Sequence, residues 1–101
     1  MISEASEPSD IVHDESAHRF VLGSDGVESY LIYRPIDPLL MDFMSTWVHP
    51  QLRGRGIGAR LVEHALEWAK ARGLKVVPSC WFVGEFVDRN PQYRGMMAGR
   101  R

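Results

Sequence analysis

The stretch Arg53-Gly54-Arg55-Gly56-Ile57-Gly58 decides how the rest of this chain is interpreted. Its three glycines allow the backbone to turn sharply and to come close to a ligand. An amphipathic helix pattern begins directly afterwards, and a helix N-terminus offers unpaired N–H groups and a partial positive charge. The stretch therefore predicts a seat for a phosphate or pyrophosphate group, to which the arginines add formal charge. The alternative is a Gly-rich surface turn, which does not account for the helix that starts beside it.

The residues around this loop predict one βαβ unit. The helix after the loop has an apolar face, made of Ile57, Leu61, Val62, Ala65, Leu66 and Ala69. Gly73 stands where a helix C-cap belongs. Residues 74–77 read as a short strand that Pro78 ends, and residues 39–48 read as a strand before the loop. The order strand, loop, helix, strand is that of a βαβ unit.

The flanking segments predict further strands and one more helix. Residues 19–22 and 27–34 fit two strands joined by a hairpin turn at residues 23–26. A second turn is expected at residues 35–38, and the strand at residues 39–48 is expected to be irregular near Ser45. Residues 81–89 place apolar side chains at i, i+4 spacing, which favours a short helix over a strand.

The beginning of the chain differs in composition from the rest. Residues 1–17 contain no Lys or Arg, and their acidic residues are Glu4, Glu7, Asp10, Asp14 and Glu15. This composition predicts a disordered acidic tail at residues 1–16, followed by a single domain at residues 17–101. The net charge of −1 therefore hides a basic body, which suits a polyanionic small molecule. The basic residues form no dense stripe, so nucleic acid is not an expected partner.

Composition also limits where the protein acts. No apolar run is long enough for a transmembrane helix, and residues 1–17 do not resemble a secretory signal. A single cysteine excludes an internal disulfide framework and favours a cytoplasmic location. The His, Cys and carboxylate residues lack metal-ligand spacing, so no metal is expected. We expect a monomer or weak dimer without a membrane partner.

Two nucleotide motifs fit the loop less well. A Walker A motif ends in Gly-Lys-Ser or Gly-Lys-Thr, which is absent here. Residues 54–59 fit the dinucleotide fingerprint, but residues 49–53 separate its first glycine from the strand. The acid that this fingerprint requires is also replaced, by Pro78, Ser79 and Cys80. A dinucleotide fold is therefore the weakest alternative.

Arg53, Gly56 and Gly58 fill the defined places of the motif Gln/Arg-x-x-Gly-x-Gly/Ala. In this the chain resembles the GNAT acetyltransferases, whose acetyl-CoA-binding motif has this form. Residues 73–83 and 90–93, with Pro-x-Cys and Asn-Pro-x-Tyr, are similar to the smallest stand-alone GNAT subfamily. The resemblance implies a compact single-domain α/β (α+β) GNAT fold. Its sheet is mostly antiparallel, with one long and one short helix.

The resemblance also implies a cofactor site and a splayed strand pair that holds the pantetheine arm. The residues expected to bind acetyl-CoA are Trp47, Val48, Arg53, Gly54, Arg55, Gly56, Ile57 and Gly58. Trp47 stands where related proteins carry a glutamate, so that residue's role does not transfer. The catalytic candidates are Cys80 near the thioester, Tyr93 as the nearest tyrosine, and His49 beside the loop. Packing for Cys80 and solvation for His49 are the simpler alternatives.

These observations predict an acetyl-CoA-dependent N-acetyltransferase that acts on a primary amine. The acceptor itself cannot be read from the sequence. The alternative is a catalytically degenerate acyl-CoA-binding or interaction module, which the replaced His and Glu of the segment before the loop favour.

Overall fold

The computed structural model describes residues 10–24 and 26–98. Its five strands are β1 (Ile11–Asp14), β2 (Arg19–Ser24), β3 (Val27–Asp37), β4 (Leu40–Trp47) and β5 (Lys75–Val77). Its two α-helices are α1 (Ile57–Ala71) and α2 (Trp81–Arg89). Short 3₁₀ turns occupy Glu15–Ala17, Pro50–Leu52 and Pro91–Met96. None of the described helices is long and apolar enough to cross a membrane.

The strands form one sheet in chain order, β1-β2-β3-β4-β5. The first four pair antiparallel, and the hairpin between β2 and β3 closes at the pair Ser24 and Val27. Strand β5 pairs parallel with β4 after α1 has crossed the sheet. The predicted βαβ unit and the mostly antiparallel sheet are therefore confirmed.

The core lies between one face of the sheet and the two helices. Phe20, Leu31 and Phe43 are fully buried and come from β2, β3 and β4 in turn. The apolar face predicted for α1 is buried in full, and α2 adds Val83 and Val87. Helix α2 occupies the predicted range 81–89, so the prediction of a helix rather than a strand is confirmed.

Two local signals in the sequence correspond to irregular backbone. Gly73 has φ of +69° after α1, and the N–H of Leu74 donates to the carbonyl of Ala69, as in a glycine C-cap. In β4, Ser45 pairs with Ile32 and Phe43 pairs with Tyr33, so Met44 is an extra residue in the strand. This bulge confirms the irregularity expected near Ser45.

The predicted tail at residues 1–16 is wrong in its second part. Ile11–Asp14 forms β1 and pairs with β2, and Glu15–Ala17 forms a 3₁₀ turn. Ile11 is only 8% exposed, and the His13 ring stacks on Phe20 at 4.1 Å between centroids. The domain therefore includes residues before 17, because four residues suffice for a strand when β2 supplies the partner. The rest of the predicted tail, residues 1–9, lies outside the described residues.

The second turn is also shorter than predicted. Strand β3 continues through Pro35 to Asp37, so the expected turn at residues 35–38 reduces to Pro38 and Leu39. Pro35 lies next to a register shift, where the missing N–H is tolerated. The Asp37 carboxylate accepts the N–H of Leu39 at 2.8 Å and closes the turn.

Candidate functional site

The Gly-rich loop ends at the N-terminus of α1. Gly54 and Gly56 have φ of +81° and +74°, in the left-handed region that glycine adopts readily. Gly56 is the N-cap of α1, and no side chain caps this end of the helix. The N–H groups of the first helical turn lack carbonyl partners within the helix. A Cβ placed on Gly54 or Gly56 meets no atom within 4 Å, so the space above the loop is open to a ligand.

A cleft of about 370 Å³ adjoins the loop. Its lining residues are Val48, Leu52, Arg53, Gly54, Gly56, Ile57, Gly58, Ala59 and Phe82. The walls are mainly apolar, while the floor at the start of α1 offers N–H donors. An anionic group on the loop and an apolar arm in the cleft therefore fit this donor set together.

Gly58 allows the three walls of the cleft to meet. A Cβ on Gly58 would lie 3.0 Å from Cε2 of Phe82 and 3.4 Å from Cγ2 of Val48. Even an alanine there would therefore require the Phe82 ring to shift by a few tenths of an ångström. The sequence predicted the helix that carries Phe82 but not this contact, since it joins segments that are far apart along the chain.

The two loop arginines differ in their surroundings. Arg53 lines the cleft, and its Nε donates to the carbonyl of Val48 at 3.0 Å. This bond ties the loop to the end of β4 and uses one lone pair of a carbonyl expected to face the pantetheine arm. Arg55 is exposed and is not among the described residues that line the cleft.

Cys80 lies against β4 where β5 ends. The parallel pairing stops at Asp42 and Val77, and the N–H of Cys80 then donates to the carbonyl of Phe43 at 2.9 Å. The Cys80 thiol is buried and lies 3.5 Å from Oγ1 of Thr46. Thr46 was not among the residues predicted for the site, and its hydroxyl is within hydrogen-bond distance of this thiol.

His49 is held in the turn before the loop. Its N–H donates to the buried hydroxyl of Ser29 at 2.8 Å, and its Nδ1 accepts the N–H of Gln51 at 3.1 Å. Because Nδ1 is an acceptor here, the proton of the neutral ring lies on Nε2. Beside His49, the Trp47 ring stacks on Tyr30 at 5.6 Å.

Tyr93 is buried, and its hydroxyl donates to the Glu67 carboxylate on α1 at 2.5 Å. Burial raises the pKa of Tyr93 strongly, and the hydrogen bond and negative charge of Glu67 raise it further. Its proton is thus held tightly. Tyr93, Cys80 and His49 are all absent from the described residues that line the cleft.

This raised pKa has a consequence for stability at alkaline pH. A phenol with a higher pKa in the folded state stabilises that state below the unfolded pKa of about 10, and the contribution is lost as pH rises above it. We expect the urea midpoint of the wild type to fall between pH 9 and about pH 11. In Tyr93→Phe this fall should be smaller. Equal pH slopes in the two proteins would contradict the buried Tyr93–Glu67 contact.

Residues 19–96 match the protein-family model described as GCN5-related N-acetyl-transferase. The chain belongs to the GCN5-related N-acetyltransferase (GNAT) family. The match runs from β2 to the last 3₁₀ turn, so the whole βαβ unit with its loop lies inside the GNAT region. The predicted GNAT membership and fold are therefore confirmed.

Individual relatives agree with this assignment. The chain is 29% identical to Protein NATD1 of Gallus gallus over 86 residues, which are 83% of this chain and 78% of the relative. The identity to Protein NATD1 of Homo sapiens is also 29% over 86 residues, covering 83% and 76% of the two chains. A GCN5-like protein from Staphylococcus aureus, solved by NMR, superposes with a TM-score of 0.70 at 26% identity. That superposition covers 90% of this GNAT chain and 89% of the other.

Proposed function

We propose that this GNAT domain transfers the acetyl group of acetyl-CoA to a primary amine. One observation carries the proposal: an open Gly-rich loop at the uncapped N-terminus of α1 leads into an apolar cleft. Such a site suits a ligand that joins a pyrophosphate to a long, mostly apolar arm. We further propose a cytoplasmic location, which the free thiol of Cys80 favours.

The loop residues supply the binding groups in this proposal. The N–H groups of Ile57 and Gly58 and the charge of Arg53 and Arg55 hold the pyrophosphate. Val48 and Phe82 enclose the arm, and the remaining backbone groups of Trp47 and Val48 bond to its amides. The fit rests on the open space above Gly54 and Gly56, where a side chain would block a phosphate.

The reaction requires one net proton transfer. Acetyl-CoA supplies an activated acyl group, and as the amine nitrogen forms its bond to carbon, the carbon–sulfur bond breaks and a proton passes from nitrogen to sulfur. The chain must therefore accept a proton from the amine and stabilise negative charge on oxygen and on the leaving sulfur. Backbone N–H groups at the end of β4 serve as donors to the oxygen.

Of the three catalytic candidates, Cys80 fits the handling of the sulfur best. Its thiol contacts the Thr46 hydroxyl, and its backbone N–H donates to the carbonyl of Phe43. A thiol in that position can donate a hydrogen bond to the departing thiolate. His49 is engaged with Gln51, and the proton of Tyr93 is held by Glu67, so both are less suited. A water molecule relaying the amine proton completes the scheme.

A second function has one observation in its favour. The side chain of Trp47 stacks on Tyr30 where related enzymes present a glutamate, so no carboxylate stands at that position. A module that binds acyl-CoA without turnover is therefore the alternative.

An acceptor screen separates these two functions. The protein is incubated with acetyl-CoA and a panel of amines: a polyamine, an amino-acid amide, a lysine peptide and a peptide with a free N-terminus. Mass spectrometry then detects acetylated product. Product formation that depends on the protein supports the transferase. Calorimetric CoA binding without any product supports the binding module, and absence of CoA binding contradicts both.

The role of Cys80 gives a sharper kinetic prediction. We expect Cys80→Ala to lower kcat about 10²-fold, since a positioned hydrogen-bond donor to developing negative charge contributes about that much. Cys80→Ser keeps a donor and should restore part of the rate. Initial rates should show a ternary complex, with no acetyl adduct on the protein when the acceptor is omitted. An adduct on Cys80 that discharges to the amine at the turnover rate would instead establish a covalent route.

A further inference from the structure

A second cavity lies at the opposite end of the domain from the Gly-rich loop. Its volume is about 370 Å³, and Tyr33, Met41, Trp68 and Leu74 supply its apolar wall. Trp68 stands ten residues beyond Gly58 on α1, about 15 Å further along the helix axis. The cavity is therefore separate from the cleft proposed to bind acetyl-CoA.

Two opposite charges face this cavity. Arg72 lines it, and its guanidinium lies 5.7 Å from the centre of the Trp68 ring. No carboxylate among the described residues lies within ion-pair distance of Arg72. Glu15 lines the cavity as well, and the charges of Glu15 and Arg72 act in opposite directions on the pKa of Tyr33. A guanidinium without a carboxylate partner among the described residues and a carboxylate thus border the same cavity.

Glu15 also has no Lys or Arg partner among the described residues. Its one described ion contact is to Nδ1 of His13 at 3.8 Å. Burial lowers the pKa of His13, whose ring is stacked on Phe20 and bonded to the Tyr33 hydroxyl at 2.7 Å. Burial therefore favours the neutral imidazole, and because 3.8 Å is too long for a hydrogen bond, the Glu15 carboxylate remains available to an incoming cation.

Two further features of this cavity are an unusual backbone conformation and an unpaired donor. His18, at its rim, is the one described non-glycine residue in the left-handed region, with φ of +54°. This backbone conformation, which few non-glycine residues adopt, is held by hydrogen bonds with Glu15 and Tyr33. In the wall, the indole N–H of Trp68 is buried and has no hydrogen-bond partner among the described residues. A buried donor without a partner costs free energy, and such groups are rare in folded proteins.

We propose that this cavity binds a small zwitterion of the amino-acid type with an apolar or aromatic side chain. The side chain lies against Trp68 and Met41. The carboxylate pairs with Arg72, whose planar guanidinium suits a carboxylate. The ammonium group pairs with Glu15. This site is independent of the acetyl-transfer cleft and extends beyond the proposed function.

Titration of the ¹⁵N-labelled protein with L-phenylalanine tests the proposal. We expect a saturable shift of the Trp68 indole signal, which a Trp68→Phe variant identifies among the three tryptophans. Arg72→Gln and Glu15→Gln should each weaken binding about tenfold, since each removes a charge-assisted hydrogen bond. Lys70→Gln removes a charge from an exposed position at the same end of α1 and should leave the affinity unchanged.

Two analogues test whether both charges are recognised. 3-Phenylpropionate lacks the ammonium group and phenethylamine lacks the carboxylate, so each should bind several-fold more weakly than L-phenylalanine. If either analogue binds as tightly as L-phenylalanine, the zwitterion proposal is wrong. The lack of a saturable shift with L-phenylalanine would overturn it as well. Shifts confined to the amides of Gly56 and Gly58 would overturn the location. Each of these results is independent of whether acetyl transfer occurs.

Discussion

Replacing Gly56 with valine is expected to abolish CoA binding while the domain remains folded. Gly56 has φ of +74°, which a β-branched residue adopts only with strain, and it is the N-cap of α1. The new side chain would also occupy the open space above the loop. Both effects turn the first-turn N–H groups away from a bound phosphate. Calorimetry with CoA should show affinity at least about 10²-fold weaker, equivalent to about 2.7 kcal/mol.

Gly73 provides a matched control for this experiment. Its φ is +69°, a Cβ there also meets nothing within 4 Å, and it lies at the other end of α1. Gly73→Val should therefore carry a similar backbone penalty of about 1–2 kcal/mol, without contacting the ligand. We expect it to lower the melting temperature and to leave CoA affinity unchanged. If Gly56→Val binds CoA normally, or both variants lose binding equally, the loop is not the phosphate site.

The parts of the fold that could be predicted carry local signals. The spacing of the apolar residues in α1 and the glycine that follows the helix are local features of the sequence. The helix and its end were therefore predicted closely. The bulge in β4 was also foreseen near its observed place. A helix can be predicted from its own residues, because side chains three and four positions apart contact each other without a partner elsewhere in the chain.

Strand β1 shows why other parts were missed. Its four residues include one apolar side chain that the core buries, Ile11, and they stand in acidic surroundings. What makes them a strand is the pairing with β2 and the stacking of His13 on Phe20. Such cross-strand contacts depend on a partner that a local pattern does not reveal. Pro35 led to the wrong prediction of a turn for the same reason, because a register shift between β3 and β4 accommodates it within the strand.

In the candidate site too, features of single residues could be predicted and contacts between separate elements could not. The glycines of the loop were predictable because backbone freedom is a property of the residue itself. The contact of Phe82 with Gly58 and the bond of Arg53 to Val48 were not, since each depends on how separate elements pack. The bond from Tyr93 to Glu67 likewise depends on packing between separate elements, and a catalytic role of Tyr93 stays a prediction.

Removal of residues 1–14 is expected to destabilise the domain by about 3–5 kcal/mol, a large share of the stability of a small domain. The truncation deletes β1 and with it the buried side chain of Ile11 and the ring stack between His13 and Phe20. It also exposes the fully buried Phe20 and leaves the outer edge of β2 unpaired. The melting temperature should fall by more than about 10 °C.

A shorter truncation is the control for this prediction. Removal of residues 1–9 retains Ile11, His13 and the ion pair between Asp10 and Arg60 on α1. Because every described contact of this region is kept, we expect this variant to melt within a few degrees of the full chain. The same acidic composition precedes and includes β1, so composition alone predicts equal effects of both truncations. Equal melting temperatures would show that β1 adds nothing to the core, whereas a large fall in the longer truncation alone demonstrates that the domain begins with this strand.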